Sequence, residues 1–469
     1  MEHSILMTTS LSPRTAVRSK PAWLVILLCW LIVVLDGYDL IVYGTTLPAI
    51  MAMKEPGWGL NPTEAGFMGS LVFVGALFGA LGAGDIADRL GRKKTIIACG
   101  LLFTVFTMAI YFAINKEMFG AFRFIAGVGL GGLVPSANAI TAEFVRVRQR
   151  SFISTIMMSG IPIGGSIAAL LGLVMLPVPG WRAMYLVAGV GIVILAVAAW
   201  IMPESPAWLR SKGREAEARR VAAEWGVDHT LEEVVASHDE TPAEAEAESA
   251  SPHPQGLRAL FSPRWGIATA MFATASIFTL FTWYGLGTWL PKLMGADPHY
   301  TTLMFNPLLF LLSLNIGAVI GSFATAWAGV RFGPLPSGIV AALFAALGLA
   351  FLLTYPDSPI MANLALVLAG IGTHGTQCLV LAAIASHYPA KLRGSALGFS
   401  SGMGRIGAIT APILGGALVT VAGANVSVGT SANFIMFAVG AALAAVTLLI
   451  TLLISRPTSE KSSGPVMAH

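Results

Sequence analysis

The sequence predicts an all-α membrane protein with twelve transmembrane helices arranged in two pseudo-symmetric six-helix halves. Three observations lead there. Of the 469 residues, 55% are hydrophobic and only 11% charged, with a mean hydropathy of +0.76, whereas a soluble chain has about a quarter of its residues charged. The apolar residues fall into blocks about 20 long, the length of helix that crosses a hydrocarbon core of ~30 Å. The chain also repeats itself: Gly127-Val128-Gly129, Gly132, Arg150 and Gly164 match Gly370-Ile371-Gly372, Gly375, Arg393 and Gly407. A soluble enzyme, a nucleic-acid-binding protein and a secreted disulfide scaffold are excluded together.

Taken in order, the blocks place spans near 22–50, 64–83, 95–114, 118–141, 152–176 and 183–202, then near 265–290, 302–327, 336–355, 360–386, 395–420 and 432–454. The first follows the basic residues Arg14, Arg18 and Lys20 but is too long for a signal peptide, so it reads as a retained span after a tail over 1–21. The halves then cover 22–203 and 263–455, with a second tail over 456–469. Between them, 204–226 reads as a short amphipathic helix. The stretch 227–257, with eight acids and no Lys or Arg, reads as a disordered linker.

Charge sets the orientation. Of 28 Lys and Arg, 22 fall on the tails, the central segment and the 2–3, 4–5, 8–9 and 10–11 loops, against Lys54, Lys116, Arg182 and Lys292 on the other face. The positive-inside rule makes the basic face cytoplasmic, with both termini inside. Arg123, Arg405, Asp36 and Asp39 lie within spans, where ionisable groups are costly and mark functional sites. Cys29, Cys99 and Cys378 lack metal-ligand spacing and read as small buried hydrophobes, so no metal or other cofactor is expected.

The 2–3 loop reads Gly84-Asp85-Ile86-Ala87-Asp88-Arg89-Leu90-Gly91-Arg92-Lys93-Lys94. Gly84 and Gly91 suit a tight turn. Asp88 suits a helix cap or an ion pair, and Arg89 and Arg92 suit acids at neighbouring helix ends, Glu143 among them. A purely topogenic basic loop is the plainer alternative. This loop closely resembles the G-x-x-x-D-R-x-G-R-K signature of the major facilitator superfamily. Arg123 with Gly127, Gly129, Gly131 and Gly132 resembles that family's span-4 motif, Gly160-Ile161-Pro162-Ile163-Gly164-Gly165 its span-5 motif, and Pro203-Glu204-Ser205-Pro206 the end of its span 6. The second loop copy, at Arg331-Phe332-Gly333, is degraded, with Gly329-Val330 where an acid is expected.

Within that superfamily, Leu35-Asp36-Gly37-Tyr38-Asp39 resembles the D-G-[FY]-D motif of aromatic acid:proton symporters, the benzoate and hydroxybenzoate carriers. Tyr388-Pro389 with Arg393, and Gly404-Arg405-Ile406-Gly407, resemble their spans 10 and 11. The resemblance implies a major facilitator fold, alternating access and a monomeric carrier of small aromatic carboxylates and protons, serving aromatic hydrocarbon catabolism.

The residues support this independently. Asp36 lies roughly 21 Å along span 1, near the bilayer middle, with Asp39 and Tyr43 at i+3 and i+7 on one face. Two such carboxylates repel, and one of them can move a proton through the cycle, although a purely structural hydrogen bond is the alternative for either. Arg405, roughly 16 Å along span 11, suits a substrate carboxylate, or else a permanent pair with an acid. His374, Gln377, Trp283 and Tyr284 are candidates for substrate contact, with packing the alternative for each. Asp88, Arg89, Arg92, Glu143 and Arg393 with Gly84 and Gly91 are expected to form a conformational latch. Efflux by proton antiport on the same fold is the competing function. A channel or receptor would need polar faces that are missing here, and a pump would need a phosphate loop, which does not occur.

Overall fold

The computed structural model describes residues 20–178, 180–227, 257–303 and 306–454. Among these, twelve helices are long and apolar enough to cross a membrane. Spans 1 to 6 are Trp23–Met51, Pro62–Leu90, Arg92–Phe112, Lys116–Glu143, Val147–Met175 and Trp181–Ile201. Spans 7 to 12 are Gly266–Ala296, Leu308–Phe332, Pro334–Leu352, Pro359–His387, Ala390–Ala422 and Val426–Ile454.

Local chemistry sets the ends. Span 2 starts on a capping box, Asn61 accepting from the Glu64 amide (2.8 Å) while Glu64 accepts from the Asn61 amide (3.1 Å), with Pro62 at the first turn. Span 2 also runs seven residues beyond the expected end, because Gly84–Arg89 stay helical after leaving the apolar zone. Gly84 therefore makes no turn. Gly91 does, at φ +101°. Span 8 starts later than expected, because Asn306 accepts from the Leu308 amide at 3.0 Å and Pro307 opens the helix, leaving Pro298–Leu303 as a separate short helix.

The expected amphipathic helix over 204–226 is two helices, Pro206–Ser211 and Glu215–Trp225, separated by Gly213 at φ +72°. The second buries Ala218, Ala222 and Trp225, the Trp225 ring meeting Phe144 at 5.9 Å. On its exposed side Arg210 donates to Glu215 and holds that carboxyl below its usual range. The two tails lie almost wholly outside the described residues, as does the acidic linker.

Glycines let helices touch backbone to backbone at repeat-matched places. A Cβ on Gly127 would lie 2.1 Å from the Val72 carbonyl oxygen, and one on Gly370 2.0 Å from that of Leu314. Gly131 packs the same way on Ala76 (2.2 Å), so the span-4 glycines fix spans 2 and 4 together.

Among the described residues, the halves meet backbone to backbone at the face away from the basic loops. There a Cβ on Gly44 would lie 1.9 Å from the Gly287 oxygen, joining spans 1 and 7. Gly66 and Gly416 likewise meet the Pro412 and Pro62 oxygens at 2.2 Å, joining spans 2 and 11. Thr63 and Thr420 share a hydrogen bond of 2.9 Å, and Ser70 donates to the Ile409 carbonyl at 2.6 Å. Toward the basic face, Gly82, Gly394, Gly398 and Gly402 have nothing within 4 Å of where a Cβ would stand.

Candidate functional site: charges and rings at the seam

Span 1 supplies two acids that face different ways. Asp36 is only 5% exposed and makes no hydrogen bond among the described residues. It shares its electrostatic neighbourhood with Arg405 and Tyr284, both from the other half. Asp39, three residues on, turns into its own half, accepting from the Thr107 hydroxyl at 3.0 Å with its second oxygen unpaired. The two acids remain electrostatic neighbours, as their spacing suggested, but Asp36 turns toward Arg405 and Asp39 toward Thr107.

Arg123 is the counter-charge on the Asp39 side. It is 1% exposed, interacts electrostatically with Asp39, and lies over the Tyr43 ring at 4.5 Å and the Phe119 ring at 6.0 Å. Its Nε and Nη1 have no partner. Tyr43, expected in substrate contact, instead packs beneath Arg123 and donates its hydroxyl to the Ala65 carbonyl at 2.6 Å. A buried guanidinium needs an aromatic floor and a nearby acid, and spans 1 and 4 provide both. The sequence marked Arg123 as an ionisable group within a span and as part of a glycine motif, without naming Asp39 as its partner.

Arg405 forms no ion pair or hydrogen bond among the described residues and is half-buried, with Asp36 and Tyr284 as its charged and polar neighbours. Tyr284 packs on Phe73 of the other half at 4.5 Å between ring centroids. His374 packs on Trp283 at 5.3 Å and bonds through Nε2 to the Met158 carbonyl of span 5 at 3.2 Å. That carbonyl is free because Pro162, four residues on, has no N–H to offer it. The bond therefore ties the halves together. Gln377 follows His374 by one turn, 7% exposed, with its Oε1 unpaired.

The latch residues lie at the basic face, all but Arg393 in the first half. Arg92 pairs with Glu143 at 3.3 Å, and Glu143 accepts twice from the Ser205 hydroxyl and once from the Ala207 amide. Glu204, not Asp88, caps span 3, accepting from the Lys93 amide at 3.0 Å. It stands so close to Gly91 that a Cβ there would meet it at 2.3 Å. Asp88 contributes its carbonyl, which accepts from the Trp208 indole at 2.9 Å. The side chains of Asp88, Arg89 and Arg393 are exposed and make no bond among the described residues.

Twelve spans in two repeated halves, with opposed charges buried where the halves meet, define a membrane transporter of the two-half carrier class. The sequence profile of the Major Facilitator Superfamily matches residues 29–387 and 315–467, and the chain belongs to that superfamily. It is 44% identical over 439 residues to the gentisate transporter of Corynebacterium glutamicum, covering 92% of this chain and 88% of that one. It is 34% identical over 439 residues to the benzoate transport protein of Acinetobacter baylyi, covering 91% and 89%. The partially occluded inward open conformation of the xylose transporter XylE from E. coli shares the fold, with a TM-score of 0.72 at 17% identity, over 93% of this chain and 100% of that one. These relatives are transporters, not enzymes.

Proposed function

We propose that the protein imports a small aromatic carboxylate of the benzoate or hydroxybenzoate type together with protons, by alternating access across the bacterial cytoplasmic membrane. In this reading the basic face is cytoplasmic, both termini are inside, and one chain is the working unit. The observation that carries it is the placement of Asp36 and Arg405, one from each half, near each other yet without a direct ion pair. The names of the gentisate and benzoate relatives support the substrate class.

The coupling follows from charge. While Asp36 is ionised it competes with an anionic substrate for Arg405. A proton on Asp36 removes that competitor, so proton and carboxylate enter together. The guanidinium then takes the carboxylate bidentately, and the Phe73–Tyr284 pair offers faces for the ring. Asp39, opposite Arg123, is the second protonatable group of the same helix. The latch at Arg92, Glu143 and Glu204 stabilises one end-state and touches no substrate. Uptake of labelled benzoate, 4-hydroxybenzoate and gentisate into intact cells, with and without a protonophore, tests the reading. Accumulation that the protonophore abolishes is expected, and accumulation that survives it contradicts proton coupling.

A further inference from the structure

Two polar atoms at the seam lack the partners that buried groups normally have. Among the described residues, the indole N–H of Trp283, on a residue 2% exposed, has no acceptor, and Oε1 of Gln377 has no donor. One is an orphaned donor and the other an orphaned acceptor. His374 connects them: its ring lies 5.3 Å from that of Trp283, and it precedes Gln377 by one helical turn. Because His374 bonds to Met158 of the other half, this cluster faces the seam and not the lipid. An unpaired buried polar atom has given up its bond to water for nothing, so a ligand group that pairs both atoms is selected strongly.

We infer that Trp283 and Gln377 form a subsite for a ring hydroxyl of the substrate, remote from the carboxylate that Arg405 holds. A phenolic hydroxyl is donor and acceptor in one atom. It accepts from the Trp283 indole and donates to the Gln377 carbonyl, whereas a bare ring edge leaves both unpaired. A site built to hydrogen-bond a hydroxyl discriminates far better against the analogue lacking it than an apolar pocket does. The preferred substrates are therefore hydroxylated benzoates. This inference rests on the transport reading above and narrows it.

The test is equilibrium binding of labelled benzoate, 3-hydroxybenzoate, 4-hydroxybenzoate and gentisate to the purified full chain, for the native protein and for Trp283→Phe and Gln377→Leu. Trp283→Phe keeps the ring and removes only the N–H, so it gives the answer even if the other variant fails to fold. The native protein is expected to bind at least one hydroxylated acid tenfold or more tighter than benzoate. In each folded variant that ratio should fall toward unity. A native protein that binds benzoate and all three hydroxylated acids equally overturns the subsite while leaving aromatic transport intact. A ratio unchanged within twofold in Trp283→Phe, as when a fixed water satisfies both atoms, overturns it too. Failure of the native protein to bind any of the four acids rejects the transport reading itself.

Discussion

Arg405 and the two acids of span 1 set the chemistry at the scale of single residues. Replacing Arg405 by Lys keeps the charge but loses the planar fork, so substrate binding should weaken by roughly 1–3 kcal/mol, the scale of a charge-assisted hydrogen bond. Near-normal binding by folded Arg405→Lys protein in an equilibrium assay would show that Arg405 is not the carboxylate anchor. Arg123 carries the opposite expectation. It packs on Tyr43 and Phe119 beside Asp39, and its removal leaves a buried acid without its counter-charge, at a cost of several kcal/mol. Arg123→Leu should lower the thermal unfolding temperature in detergent, whereas Arg405→Lys should not. Sequence alone singled out Asp36, Asp39, Arg123 and Arg405, because ionisable groups in apolar blocks stand out. It missed Arg123 as the Asp39 counter-charge and Glu204 as the span-3 cap. Those contacts join distant spans, and helical periodicity gives a face without naming the neighbour on it.

At the scale of the helix, closure of the far face depends on spans 1 and 7 crossing where Gly44 meets the Gly287 carbonyl. A side chain at 44 cannot fit in the closed arrangement, and overpacking of this kind costs about 1–3 kcal/mol. Gly44→Leu should shift the population toward opening on that face. Spin-label distances between the far ends of spans 1 and 7 should lengthen, and unchanged distances would refute the closure role. On the basic face, Asp88 and Arg393 are free while Arg92, Glu143 and Glu204 are engaged. Asp88→Asn should therefore slow transport while leaving binding affinity within a few-fold, as stopped-flow uptake alongside equilibrium binding will report. Span positions were legible from hydropathy, but the end of span 2 and the start of span 8 were not. Helices continue past the lipid boundary when polar residues stay helical, and Asn306-Pro307 starts a helix inside an apolar block.

The whole molecule couples these parts through one asymmetry: the acids lie in the first half and Arg405 in the second, on a fold whose halves otherwise repeat. At the positions matching Asp36 and Asp39 the second half has Thr279 and Thr282, whose hydroxyls donate to their own helix. The repeat was readable from glycines, since most of the matched ones mark a close backbone approach, but which end-state the fold adopts was not, because one sequence serves both. The central claim is that Asp36 links the proton to the anion. The most direct measurement compares native protein with Asp36→Asn in proteoliposomes, following labelled aromatic acid under an imposed pH gradient and, separately, in exchange without one. The account predicts that Asp36→Asn still exchanges substrate but no longer concentrates it. Accumulation by Asp36→Asn that still follows the pH gradient would contradict it.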